Sequence, residues 1–162
     1  MSDFRIKTCV LGMVSTNCYI IYNESKKEGI IVDPADNGMY ILNRCRELGV
    51  TPSAVLLTHG HFDHIMAVDD IRRAFPVTVY MGMNEANLLK DPYQNLSGTM
   101  GSEQTSMEAD YLLRDNEVIT LAGYKIKVLE TPGHTVGSVC YLFEEEDVLI
   151  SGDTLFEDSL GR

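Results

Sequence analysis

Three of the chain's four histidines fall in one six-residue stretch, His59-Gly60-His61-Phe62-Asp63-His64, directly behind the all-apolar run Ala54-Val55-Leu56-Leu57. A short run of that composition reads as a strand buried on both faces, the kind found in a parallel sheet covered by helices. It delivers the chain straight into the histidines. In extended backbone, residues two apart project to the same side, so His59 and His61 can grip one cation together. Asp63 and His64, at the turn into the next element, point elsewhere and can hold a second cation alongside. Imidazole and carboxylate suit zinc, and a donor set without Cys leaves iron and manganese open. Gly60 removes a side chain where the loop packs close to the metals. The plainer alternative, surface histidines capping a helix, would leave this clustering beside an acid to chance.

The surrounding pattern is that of an α/β protein. Residues 4–10, 18–22 and 29–32 look like strands, the last two joined by the polar turn Asn23-Glu24-Ser25-Lys26-Lys27. Asp36 or Asn37 can cap a helix to about Leu48, with Ile41, Leu42, Cys45 and Leu48 on one face and Gly49 as its stop. Residues 65–75 read as a second helix with Ile65, Val68, Ile71 and Phe75 inward, ended by Pro76. A strand over 77–81 and a helix over 84–90 follow. Residues 91–110 form a long polar stretch with Pro92, Gly98 and Gly101, expected to be a lid over the site, with Tyr93, Asn95 and Ser97 as candidates to meet substrate. From Glu117 onward only strands are expected, over 118–121, 125–130, 138–143 and 147–151. Strand–helix–strand giving way to hairpins implies α/β layers around two packed sheets. With no repeat or linker, residues 1–162 read as a single domain.

The fourth histidine is His134, in Thr131-Pro132-Gly133-His134-Thr135, where Pro132 and Gly133 make a sharp turn after a strand. Alone it would be an ordinary loop histidine. Beside an incomplete cluster it becomes a candidate ligand. Asp153, in Ser151-Gly152-Asp153-Thr154, also ends an apolar strand, a position that suits a helix cap as well as a metal.

Taken in order, H-x-H-x-D-H, then Pro132-Gly133-His134-Thr135, then Gly152-Asp153-Thr154-Leu155-Phe156 resemble the metallo-β-lactamase superfamily, most of all its glyoxalase II-like hydrolases, over residues 11–162. The resemblance implies an αββα sandwich of two mixed β-sheets flanked by helices, with two zinc ions at one sheet edge. It implies that His59, His61 and His134 hold the first metal, that Asp63 and His64 hold the second, and that Asp153 bridges them. Asp33, in Ile31-Val32-Asp33-Pro34, matches the family's strand-end Asp that supports the histidine loop. The implied chemistry is a metal-bound hydroxide that attacks a small thioester, ester or lactone, with Asp63 as the catalytic residue orienting it. Asp153 differs from the Cys found there in the main zinc β-lactamases. Arg162, nine residues later, matches a basic position that touches substrate in glyoxalase II. The family supplies a further histidine to the second metal after the G-D-T motif, and this chain has no fifth histidine. The expectation is therefore a domain lacking its C-terminal portion, with a weak second site. Other activities within reach of the same ligands are a mononuclear iron persulfide dioxygenase-like oxygenase and a nuclease; a metal-free interaction module on a decayed fold is the non-enzymatic alternative.

Composition narrows the partners. Thirteen Lys and Arg against 24 Asp and Glu give a net charge of −11, which repels phosphate backbones and argues against nucleic acid. A small acyl substrate is expected, with no membrane partner and a possible homodimer. Cys9, Cys18, Cys45 and Cys140 form no CxxC pair and sit among apolar residues, so they read as buried thiols. No secretory signal or membrane-length apolar run is visible, which points to the cytoplasm.

Overall fold

The computed structural model describes residues 3–11, 16–58, 65–85, 108–131, 138–151 and 155–157, the last three by backbone alone. Its strands are β1 (Phe4–Leu11), β2 (Thr16–Asn23), β3 (Glu28–Val32), β4 (Thr51–Leu56), β5 (Thr78–Gly82) and β6 (Tyr111–Leu113), then β7 (Val118–Leu121), β8 (Tyr124–Glu130), β9 (Val139–Phe143), β10 (Val148–Ile150) and β11 (Leu155–Glu157). The helices are α1 (Gly38–Leu48) and α2 (Val68–Ala74).

Two sheets result. The first has the order β1-β2-β3-β4-β5-β6 and the second β11-β10-β9-β8-β7. β1, β2 and β3 pair antiparallel, whereas β3 to β6 run parallel, so the first sheet is mixed. The second sheet is antiparallel in all its described pairs, where a mixed sheet was expected. Its strands follow one another through short connections, and tight turns permit only antiparallel pairing.

Side-chain alternation divides the apolar residues between two cores. From β2, β3, β4 and the residue after β4, Cys18, Ile20, Ile31, Val55 and Leu57 face α1 and α2, where they meet Ile41, Cys45, Val68 and Ile71. The residues between them, Tyr19, Ile21, Ile30, Val32, Ala54 and Leu56, face the second sheet and pack on Ile126, Val128, Tyr141 and Phe143. These central strands are apolar on both sides because both sides are covered. Among the described residues, both helices lie on the first sheet.

Helix α1 starts and stops as its sequence dictates. Asn37, at φ 52°, accepts a hydrogen bond from Tyr40 N at 3.3 Å, and Gly49, at φ 71°, ends the helix in the left-handed conformation. The second helix is shorter than its apolar periodicity predicts. The N–H groups of Met66 and Ala67 donate to Ala35 and Pro34 carbonyls at 3.2 and 2.9 Å, and Ala67, at φ −97° and ψ 3°, leaves the helical conformation and caps the helix, which starts only at Val68. The helix expected over 84–90 begins as a single 3-10 turn, Met83–Glu85, and residues 86–90 lie outside the described residues. Sequence reading also passed over β6 and β11, each three residues long and too short to show a period.

Candidate metal centre

Strand β3 ends at Val32, and the next residue sets up everything that follows. Asp33 adopts φ 50°, a left-handed conformation that Asp tolerates better than most residues. Its N–H donates to Leu56 O at 3.0 Å, continuing the link between β3 and β4. Its side chain is fully buried. There Oδ1 accepts from the Thr58 N–H at 2.9 Å and Oδ2 accepts from the Thr58 hydroxyl at 2.7 Å. A buried carboxylate needs such donors to offset the loss of water. Thr58 is the residue immediately before His59.

The chain becomes described again at Ile65, which is fully buried, and Met66 and Ala67 bond to Ala35 and Pro34. The segment 59–64 therefore leaves from and returns to the same short loop, 33–35. Both of its ends are fixed by hydrogen bonds.

The second sheet meets this edge from the other side. The Val139 N–H donates to Thr58 O at 2.9 Å, and the Tyr141 hydroxyl donates to Leu57 O at 2.6 Å. On β9, Val139 pairs with Glu130, the last residue of β8, and Tyr141 pairs with Ile150, the last residue of β10. The ends of β4, β8 and β10 thus share one edge of the sandwich. Thr131 N donates to Ser138 O at 2.8 Å, closing the two ends of segment 132–137 on each other. Ile150 pairs with Leu155, so segment 151–154 joins the ends of a hairpin.

His59, His61, Asp63, His64, His134 and Asp153 all lie in these three segments, outside the described residues. Arg162 and the lid candidates Tyr93, Asn95 and Ser97 also lie outside them. What the structure describes is the frame. Three strand ends, each followed within four residues by a candidate donor, converge at one edge. At the close of the expected lid, Arg72 Nη2 donates to Glu108 O at 2.6 Å, and Asp110 Oδ2 accepts from Val79 N at 2.9 Å. Its last residues are anchored to α2 and β5.

Among the described residues, no group of three or more His, Cys, Asp or Glu is placed to hold a metal ion. All four cysteines are buried free thiols, as expected. Burial pushes the Cys18 thiol well up from its ordinary value and Cys45 up to about 11, so neither offers a thiolate near neutral pH. The remaining candidate donors are imidazoles and carboxylates, a set that fits zinc or iron. Sequence reading missed Thr58 and Tyr141. Thr58 had a visible signal, a hydroxyl at the strand end beside the histidines. Tyr141 had none, because its partner is 84 positions away. Also among the described residues, no helix is long and apolar enough to cross a membrane.

A family model described as "Metallo-beta-lactamase superfamily" matches residues 11–162. The chain is 39% identical over 153 residues to a probable metallo-hydrolase, YqgX, of Bacillus subtilis (strain 168), a match spanning 94% of this chain and 72% of that protein. Its structure superposes on the crystal structure of the BLEG-1 B3 metallo-β-lactamase with a TM-score of 0.86 and 39% identity, over 98% of this chain and 76% of the other. It is similar as well to TTHA1623, solved in a di-iron-bound form, with a TM-score of 0.74 and 29% identity over 96% and 76% of the two chains.

Proposed function

From the premise that the chain belongs to the metallo-β-lactamase superfamily, we propose that it is a glyoxalase II-like metal-dependent hydrolase of small thioesters, esters or lactones. The observation that carries this reading is the convergence of β4, β8 and β10 at one edge, each leading into a donor-bearing segment. His59, His61 and His134 would hold a first cation, Asp63 and His64 a second, and Asp153 both. Zinc suits this set, and iron is supported by the di-iron form of TTHA1623. Metals bound there supply Lewis acidity that makes water nucleophilic near neutral pH and draws charge off an acyl carbonyl.

The rest of the work falls to the chain's own groups. Asp33 holds Thr58 by backbone and side chain, and so sets where the histidine segment starts. Asp63 orients the attacking water, the role expected of the acid inside the motif. Tyr93, Asn95 and Ser97 contact the acyl group from the lid, and Arg162 contacts an anionic part of the substrate. A net charge of −11 favours small molecules over nucleic acid as substrates.

A second reading, hydrolysis of a β-lactam amide, is favoured by the similarity to the BLEG-1 enzyme. One experiment separates them. The protein, reconstituted with zinc and separately with iron, is assayed on a hydroxyacyl-glutathione thioester, a lactone and a cephalosporin. Chelator-sensitive turnover of the thioester or lactone supports the proposal. Turnover of the cephalosporin alone supports the second reading, and oxygen consumption with one iron per chain would overturn both.

A further inference from the structure

We propose that Tyr141 is a positioning residue that registers the two sheets, so that the donors carried by each meet as one metal site. The inference rests on the metal-dependent reading above and deepens it. The candidate donors are divided between the layers. His59, His61, Asp63 and His64 follow β4 of the first sheet, while His134 and Asp153 lie between strands of the second. The layers pack through apolar side chains, and apolar attraction has no direction. A metal site has to be held to within about 0.5 Å. Directional bonds between the layers are therefore required at this edge.

Two such bonds reach the exit of β4. They are Val139 N to Thr58 O at 2.9 Å and Tyr141 Oη to Leu57 O at 2.6 Å. Their donors are two residues apart on β9 and their acceptors are consecutive residues, so together they set both separation and angle. Their register partners on the second sheet are Glu130 and Ile150, the final residues of the strands that lead to His134 and Asp153. Of the two, only the Tyr141 bond depends on a side chain. Tyr141 is completely buried. Burial, reinforced by the nearby Asp33 charge, pushes its hydroxyl well above the ordinary tyrosine range and keeps it a donor. A tyrosine that merely filled the core would be replaced by phenylalanine without consequence for the site.

Tyr141→Phe is the test, read by zinc affinity in competition with a chromophoric chelator, by the absorption spectrum of the cobalt-loaded protein, and by the Tm of the metal-free form. The expected result is a loss of zinc affinity of about tenfold or more, the range for groups that orient ligands, with an altered cobalt spectrum. The control is Tyr124→Phe, a buried tyrosine at the opposite end of the second sheet, which should change Tm and leave affinity and spectrum alone. Wild-type affinity and spectrum in Tyr141→Phe would overturn the proposal, whatever happens to its Tm. A wild-type chain that binds neither zinc nor cobalt would remove the metal reading, and the role of Tyr141 with it. Should Tyr141→Phe not fold, hydrogen exchange of the wild type decides. Zinc should slow the Thr58 and Val139 amides more than the Tyr124 amide, and uniform slowing would refute the registering role.

Discussion

Thr58 gives both its backbone N–H and its hydroxyl to Asp33, at 2.9 and 2.7 Å, so each oxygen of one buried carboxylate is committed to the residue that precedes His59. The pair links the end of β3 to the exit of β4. Asp33→Asn presents an amide where one of these donors now points, leaving a buried N–H or O–H without an acceptor. The expected loss of stability is about 1–3 kcal/mol. Zinc affinity should fall by about 10- to 100-fold, since the histidine segment starts here. Urea denaturation and metal titration of the variant check both.

Removing a proposed first-metal ligand should strip the metal. His61→Ala and His134→Ala, purified after loading, are each expected to hold less zinc than wild type by elemental analysis. Full retention in either variant would exclude that histidine from the site.

The buried thiols predict an alkaline limit to stability. Cys45 titrates at about 11 in the folded chain against an ordinary thiol value of 9.0, mainly through burial, and Cys18 is shifted in the same direction. A raised folded value means that the unfolded chain releases its proton first. This contribution is therefore complete below pH 9 and is lost as pH rises toward 11. Urea midpoints measured across that interval should fall, and Cys45→Ala should flatten the decline. A thiol reagent at pH 8 should find no fast-reacting cysteine until denaturant is added.

Gly29 sits at the register shift between β3 and β4, with Val50 packed where a β-carbon would go. Gly29→Ala forces Cγ1 of Val50 or the strand to move, at an expected cost of about 1–3 kcal/mol. This site lies at the start of the parallel strands, opposite the candidate metal edge. Thermal unfolding should register the change while zinc affinity stays the same.

The lid assignment is tested by hydrogen exchange with and without a non-hydrolysable thioester analogue. Amides of residues 91–107 should slow when it binds, while those of Glu108 and Asp110, anchored through Arg72 and Val79, should not change. No response anywhere in 91–107 would end that assignment.

Most of the fold was legible because the burial of β2, β3 and β4 is written as short apolar runs, and α1 is written between Asn37 and Gly49. The proposed donor set stands out in the sequence for a different reason: metal chemistry uses few residue types, and they cluster, while its residues lie outside the described ones. Contacts made by otherwise ordinary residues were not. The shortening of α2 comes from Ala67 at φ −97° and ψ 3°, outside the helical conformation, which no helical periodicity encodes. The Tyr141 hydroxyl reads as one more core aromatic until β9 is laid against the exit of β4.

That distance along the chain bears on how the protein is made. The hydrogen bond between Tyr141 and Leu57 closes 84 positions, and loop closure of that length is an entropic barrier that a folding chain crosses late. Cations that need donors from both layers have nothing complete to bind until the layers dock. On the proposed donor set, metal would act after that docking, by slowing the return to the unfolded chain rather than by hastening its escape. Longevity of the loaded protein, and not speed of its maturation, is what the proposed split donor set would confer.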